Sequence, residues 1–433
     1  MIHISNLRTE SAESWTKLIA DITYGGGGHN FLAEPTMWLA VKDECAHMLA
    51  SDVYDAFMLV PLYMGMYHKE DLHIHGCVSK RLYKNVMNYL QRILCDFSDD
   101  LSRINVTVDG FKTADGDPNI IGAGFSCGVD SLSTVYDWYV NETDPDYKIN
   151  ALFFFNTGWH GDYYHEGTKK LCLDRYGLNK HAADELGLPL YLIDSNFHAF
   201  SHKIYPLGAV GRMGYIANYS CTLGLQRAVR KYYVASGGGY EGVKSHGYHN
   251  ADMAGFCDTY MVPLIRTEKL EFIVDGCQYN RTQKTERISD WDIAHRFLNP
   301  CNTTSNSTVT PHNCSRCGKF LRTLIAIEAL GKLEAFSSVF DLAIYRKYSF
   351  KNKCRIVLSR KNGAHEGDNY KFAIEHGLKM PSTFMAYVRL IPSKIFGFFF
   401  GHAVSLLRRI IGDASLMALR RKLFKPSKGK IRF

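Results

Sequence analysis

Residues 119 to 131, Asn119-Ile120-Ile121-Gly122-Ala123-Gly124-Phe125-Ser126-Cys127-Gly128-Val129-Asp130-Ser131, decide how this chain is read. A short apolar run breaks into small residues and then into a helical pattern. Ile120, Ile121 and Phe125 have the composition of a buried parallel strand. Leu132, Val135, Tyr136 and Tyr139 recur at i, i+3, i+4 and i+7 of the helix expected after it. Ser126 to Ser131 therefore falls at a helix N-terminus, where unpaired N–H groups and the positive end of the dipole attract anions.

Outward from this stretch, apolar runs alternate with helical patterns. Residues 151 to 155, 189 to 193, 231 to 235 and 270 to 274 read as four further strands, and 166 to 187 and 213 to 230 as crossover helices. The alternation predicts an α/β fold: a doubly wound, Rossmann-like parallel sheet covered on both faces. Ligands of such sheets lie beyond the carboxyl ends of the strands. Asn156 to His160, Asp194 to His198 and Ser236 to Tyr240 are thus expected to converge on the loop at 126 to 131. Gly237 and Gly238 leave backbone N–H groups available to a ligand or form a plain exit turn. His160 and His165 are candidate general bases or surface residues, and Asp252 and Asp258 are Mg²⁺ ligands or solvated acids.

The run Ser126 to Ser131 resembles the pyrophosphate-binding loop, Ser-Gly-Gly-x-Asp-Ser, of the N-type ATP pyrophosphatases (the PP-loop superfamily), with Cys127 the one departure. Further on, Cys301 and Cys314-Ser315-Arg316-Cys317-Gly318-Lys319-Phe320 resemble the cysteine cluster of the 7-cyano-7-deazaguanine synthase group, with Phe320 at the last cysteine position. The resemblance spans about residues 113 to 340. It implies an adenine nucleotide alpha hydrolase-like domain that binds ATP with Mg²⁺. The β- and γ-phosphates would rest on Ser126, Cys127, Gly128, Val129, Asp130 and Ser131, with Asn156, Gly237 and Gly238 bordering the nucleotide. Ser126, Asp130 and Ser131 would be catalytic, Asp130 organising the loop or its Mg²⁺. The implied reaction adenylates a carboxylate, amide or carbonyl oxygen, releases pyrophosphate, and admits attack by ammonia, an amine or a thiol. The acceptor is open among small molecules, proteins and nucleic acids. Cys301, Cys314 and Cys317 would hold Zn²⁺, with His312 a further nitrogen, or packing around Phe320 would replace the metal. Arg316 and Lys319 are phosphate contacts or a solvated face.

The same letters admit rivals. Gly124 to Gly128 spells G-x-S-x-G, a nucleophile elbow for a serine hydrolase on Ser126. Gly25 to Gly28 with His29 would then serve as an oxyanion loop, and Asp194 with His198 or His249 as triad partners. Gly122, Gly124 and Gly128 approximate a dinucleotide fingerprint, although the second strand ends in Asn156-Thr157-Gly158 without the acid expected for a ribose. A non-catalytic nucleotide-binding scaffold and a tight turn with no ligand complete the set. No Walker-type P-loop occurs.

With 433 residues, 46% of them hydrophobic, the chain can bury a large core and is expected to form three regions. Residues 1–112 read as an α+β unit for substrate recognition or homodimer formation. In it Asp55 to Pro61 and Ile104 to Val108 are strands around a helix at 79 to 96, and His73 and His75 alternate with Leu72 and Ile74 as in a half-buried strand. Residues 113–342 carry the loop and the cysteine cluster. Residues 343–433 form a basic, partly amphipathic region, since 346–433 hold 20 Lys and Arg against 4 Asp and Glu and leave the first 345 residues at −8. Its apolar run from Ile395 to Leu407 is too short to cross a bilayer. Binding to an anionic membrane surface or to nucleic acid, and packing on the acidic body or on a second subunit, are all open. Twelve scattered cysteines and the lack of a basic-then-apolar start suit the cytoplasm.

Overall fold

The computed structural model describes residues 1–26, 30–161, 163–202, 210–241, 255–300, 313, 317–361 and 364–390. Among these, ten strands make one sheet: β1 (Ile2–Ala12), β2 (Trp15–Tyr24), β3 (Thr36–Lys42), β4 (Leu72–Val78), β5 (Val106–Phe111), β6 (Ile120–Gly124), β7 (Ala151–Asn156), β8 (Leu190–Ser195), β9 (Val229–Ala235) and β10 (Glu271–Asp275). Their order is β10-β9-β6-β7-β8-β3-β2-β1-β4-β5. Only β1–β2, β2–β3 and β3–β8 pair antiparallel, so the molecule is α/β with a large, mostly parallel central sheet compatible with a Rossmann-like arrangement.

β6 is the pivot of the parallel half. The chain steps outward from it through β7 to β8, then returns to its other side as β9 and β10. Strand β7 explains why these segments read as unbroken apolar runs. Leu152 and Phe154 enter one apolar cluster while Phe153 and Phe155 enter the other, so both faces are buried. The helix Val129–Val135 leaves β6 directly and continues as a wider-wound turn over Tyr136–Val140. It is pinned to the far edge of this half by Asp275, which accepts hydrogen bonds from Thr134 Oγ1 (2.5 Å) and Trp138 Nε1 (2.8 Å).

Residues 1–112 do not build a core of their own. β3 pairs with β8 (Leu39 opposite Ser195), and one apolar cluster runs from Ile2 and Leu72 to Ile193 and Phe272. Asp55 to Pro61 is not a strand. It forms a 3-10 turn, Asp55–Phe57, followed by the helix Leu59–His68. This segment is buried on every side, so it lacks the alternation that separates strand from helix, and Pro61 sits in the first helical turn where its missing N–H costs little. The expected helix at 213 to 230 stops at Leu223, and the expected boundary at 342 falls at the start of a helix, Leu342–Ser359, capped by Asp341. That helix and Ala364–Glu375 pack around Gly318–Ala329, so the first part of the basic region belongs to the body. Residues 391–433, with the Phe-rich stretch, lie outside the described residues. No helix among the described residues is long and apolar enough to cross a membrane.

Candidate functional site

At the carboxyl ends of β6 and β9, where the winding direction reverses, the sheet opens into a cleft of about 260 Å³. This is the crevice position in which open α/β sheets bind ligands. Ser126, Gly128, Asp130 and Ser131 form its floor, Arg175, Arg281 and Lys319 bring positive charge, and Trp159, Tyr215 and Phe154 supply aromatic walls.

The loop is held by its own hydroxyls. Ser131 Oγ donates to Gly128 O (3.2 Å) and lies 3.3 Å from Ser126 Oγ, which accepts from Gly128 N–H at 3.4 Å. These long contacts leave the serine hydroxyls able to turn toward a ligand. The left-handed residue of the turn is Cys127 (φ 53°), whereas Gly128 is extended (φ −75°, ψ 165°). Cys127 stands where the resembling motif has glycine, so this chain holds a side chain in a conformation glycine adopts freely. That side chain is buried in the core beneath the loop, and burial pushes its thiol pKa well up, so it is an inert packing group.

Asp130 is the charged centre of the floor. Its carboxylate accepts from Arg281 Nη1 (2.8 Å) and Lys284 Nζ (3.2 Å). Burial alone would raise its pKa, but the two cations outweigh that and hold it at about 2. Lys284 is only 2% exposed and also donates to the carbonyl of Ser236 at the end of β9. Arg281 and Lys284 are one turn apart on the helix Arg281–Arg287, whose start is fixed by a capping box between Asn280 and Gln283. Among the described residues that line the cleft, Arg175, Arg281 and Lys319 outnumber the one acid, Asp130.

His160 is 6% exposed and lines the cleft, and its Nδ1 has no hydrogen-bond partner among the described residues. Burial, with Arg175 and His198 adding to it, lowers its pKa to about 3, so the ring is neutral at physiological pH. Several expected residues are elsewhere. Asn156 does not line the cleft and instead donates to Asp194 Oδ1 at 2.7 Å. Gly237 and Gly238 are not in the cleft wall either. Gly238 N–H turns back to Ser236 Oγ, and Val234 and Ala235 line the cleft instead. Asp258 is neither solvated nor at the cleft. It is fully buried, accepts from Ser236 Oγ (2.8 Å) and Tyr219 OH (3.1 Å), and burial raises its pKa to about 6. His165 is exposed, and its ring Nδ1 accepts from Gly167 N–H. Val129 does not line the cleft either, its side chain being buried.

Cys317 caps the helix Gly318–Ala329 with Sγ accepting from Phe320 N–H, and Phe320 is fully buried against Phe340. Cys301, His312, Cys314 and Arg316 lie outside the described residues, as do His29, His249 and Asp252. The rival readings find less support. Gly25 directly follows β2, four strand spacings from β6 or roughly 19 Å, too far for its own N–H to serve Ser126 as an oxyanion donor, and Gly27 and Gly28 lie outside the described residues. Among the described residues no histidine hydrogen-bonds Ser126. Gly122 and Gly124 answer to packing: a Cβ would lie 2.3 Å from the Phe153 ring at the first and 2.7 Å from the Tyr232 hydroxyl at the second.

Arg175, Arg281, Lys284, Trp159 and Tyr215 were not singled out by sequence reasoning. The one available signal was the i, i+3 spacing of Arg281 and Lys284 just beyond the fifth parallel strand. Comparison of the chain with protein-family models, with curated proteins and with solved structures finds no match.

Proposed function

We propose that the parallel half of this chain is a doubly wound PP-loop domain that binds ATP in the cleft and transfers its adenylyl group to an acceptor oxygen, releasing pyrophosphate. The observation that carries this reading is the cleft itself: a serine-rich turn at the switch point of the sheet, faced by Arg175, Arg281 and Lys319 and, among the described residues, by a single acid, Asp130, already paired. Such a surface suits a polyanion.

In this reading the backbone N–H groups and hydroxyls of Ser126 to Ser131 hold the β- and γ-phosphates. Arg281 and Lys319 stabilise the charge that grows on departing pyrophosphate. The aromatic wall of Trp159 and Tyr215 offers a face for the base. Asp130 acts through Arg281 and Lys284, fixing their positions. Mg²⁺ would arrive with the nucleotide, since both carboxylate oxygens of Asp130 are engaged. Neutral His160 supplies a hydrogen-bonding group rather than a proton.

Thermal denaturation with Mg-ATP, with pyrophosphate and without ligand tests the reading, because a ligand selective for the folded state raises its stability by RT ln(1 + [L]/Kd). Both ligands should stabilise wild type, and Ser131→Ala and Lys319→Met should weaken the effect. No stabilisation by either ligand, or covalent labelling of Ser126 by a fluorophosphonate, would overturn it.

A further inference from the structure

On the far side of the sheet from the cleft, β1, β4 and β5 lie together at one edge. Their alternation sends Ile2, Ile4, Leu72, Ile74 and Val106 into the core, all 0% exposed. The residues between them point to the opposite face, which gathers His3, His73, His75, Thr107 and Asp109. His3 is directly opposite His73, and His73 is opposite Thr107, so the cluster follows from strand register, not from neighbours in sequence.

We propose that His73, His75 and Asp109 form a binding site for a divalent transition metal of the zinc class. One ligand atom from each lies within 4.8 Å of the other two. His73 Nε2 and Asp109 Oδ1 are already 3.2 Å apart. Two ligands on one tetrahedral zinc with bonds of about 2.0 Å are about 3.3 Å apart, so this pair needs almost no movement. Imidazole nitrogens with one carboxylate are the donor set that zinc shares with neighbouring late transition metals, and a poor set for Mg²⁺ or Ca²⁺.

Two further contacts are those that orient metal-binding histidines. His73 Nδ1 is hydrogen-bonded to Thr107 Oγ1 at 2.6 Å, which leaves Nε2 facing Asp109. His3 Nδ1 lies 3.1 Å from His75 Nε2, with the two rings stacked. Thr107 and His3 are thus positioning residues. Three protein ligands leave a coordination position for water. His75 and Asp109 are exposed, which gives the ion a path in. A bound ion would cross-link β4 and β5, strands joined by a long connection.

The full-length protein, stripped with a chelator and titrated with Co²⁺, tests this directly. The expected result is one Co²⁺ per chain with visible d–d bands, no thiolate-to-cobalt charge-transfer band, and displacement by Zn²⁺. His73→Ala and His75→Ala should each abolish the spectrum while far-ultraviolet circular dichroism stays native. Thr107→Val should weaken Zn²⁺ binding about tenfold or more. A spectrum bearing a thiolate band that survives both histidine variants would place the metal on cysteines and overturn the proposal, as would no visible spectrum at all.

Discussion

At the scale of single residues, Asp130 is placed so that its removal is felt twice. Asp130→Ala strips the loop of its acid and leaves Lys284, 2% exposed, without its counter-charge. Breaking such a pair by removing one partner costs about 3 kcal/mol, so the melting temperature should fall clearly, and adding Lys284→Met should restore much of the loss. The pH dependence has a definite sign. Asp130 titrates at about 2 when folded, below its unfolded value, so its contribution is complete above pH about 4 and is lost as pH falls toward 2. That window is worth about 2 kcal/mol in wild type and should be missing in Asp130→Asn, as acid titration of stability will reveal. Cys127 makes a second case. In its left-handed conformation a β-branched side chain is strained, so Cys127→Val should cost about 2 kcal/mol or more. Cys127→Gly exchanges relief of strain for lost burial and should stay within about 1 kcal/mol in chemical denaturation.

Elements matter here mainly as holders of orientation. The helix Arg281–Arg287 is short, yet it aims both cations at Asp130, and its first turn depends on the Asn280 carboxamide accepting from Gln283 N–H at 3.0 Å. Asn280→Ala should therefore cost about 1 kcal/mol of stability and also loosen Arg281. Measured by the thermal shift with pyrophosphate, ligand stabilisation should shrink by more than global stability does. The loop helix is steadied in the same manner from the other side, by Asp275 through Thr134 and Trp138 and by the Trp138 ring stacked on Tyr233.

For the whole molecule, the join between its two halves is the feature with most consequence. β3 against β8 makes one sheet of both, and fully buried Asp55 links them a second time. It accepts from Ser79 N–H (2.7 Å) and the Ser79 hydroxyl in the N-terminal part, and from Gln226 Nε2 (2.8 Å) just before β9. Burial raises Asp55 to about 6 despite these donors. A raised carboxyl favours the protonated folded state, so the cost of its charge is present above pH about 6 and is relieved as pH falls toward 4. Stability measured by denaturant should rise across that window in wild type, and Asp55→Asn should remove its share of the rise, leaving that of Asp258, which is raised in the same way.

How far the sequence could be read follows from where each signal lives. The five parallel strands were legible as short apolar runs, most clearly β7, where burial on both faces demands an unbroken one. The turn at 126 to 131 was legible because few residue types can break such a run into a helix. Half of the cleft was not. Arg175, Trp159 and Tyr215 carry no local pattern, and Asn156, Gly237 and Gly238 follow the right strands yet do not line the cavity. By itself, then, the sequence determined the parallel half and the position of its loop, since both are written in periods of a few residues. Only the tertiary structure decided that residues 1–112 extend the same sheet, which cations face Asp130, and that three histidines meet at one edge. Those outcomes depend on strand register and packing between segments distant in the chain, where no local spacing records the partner.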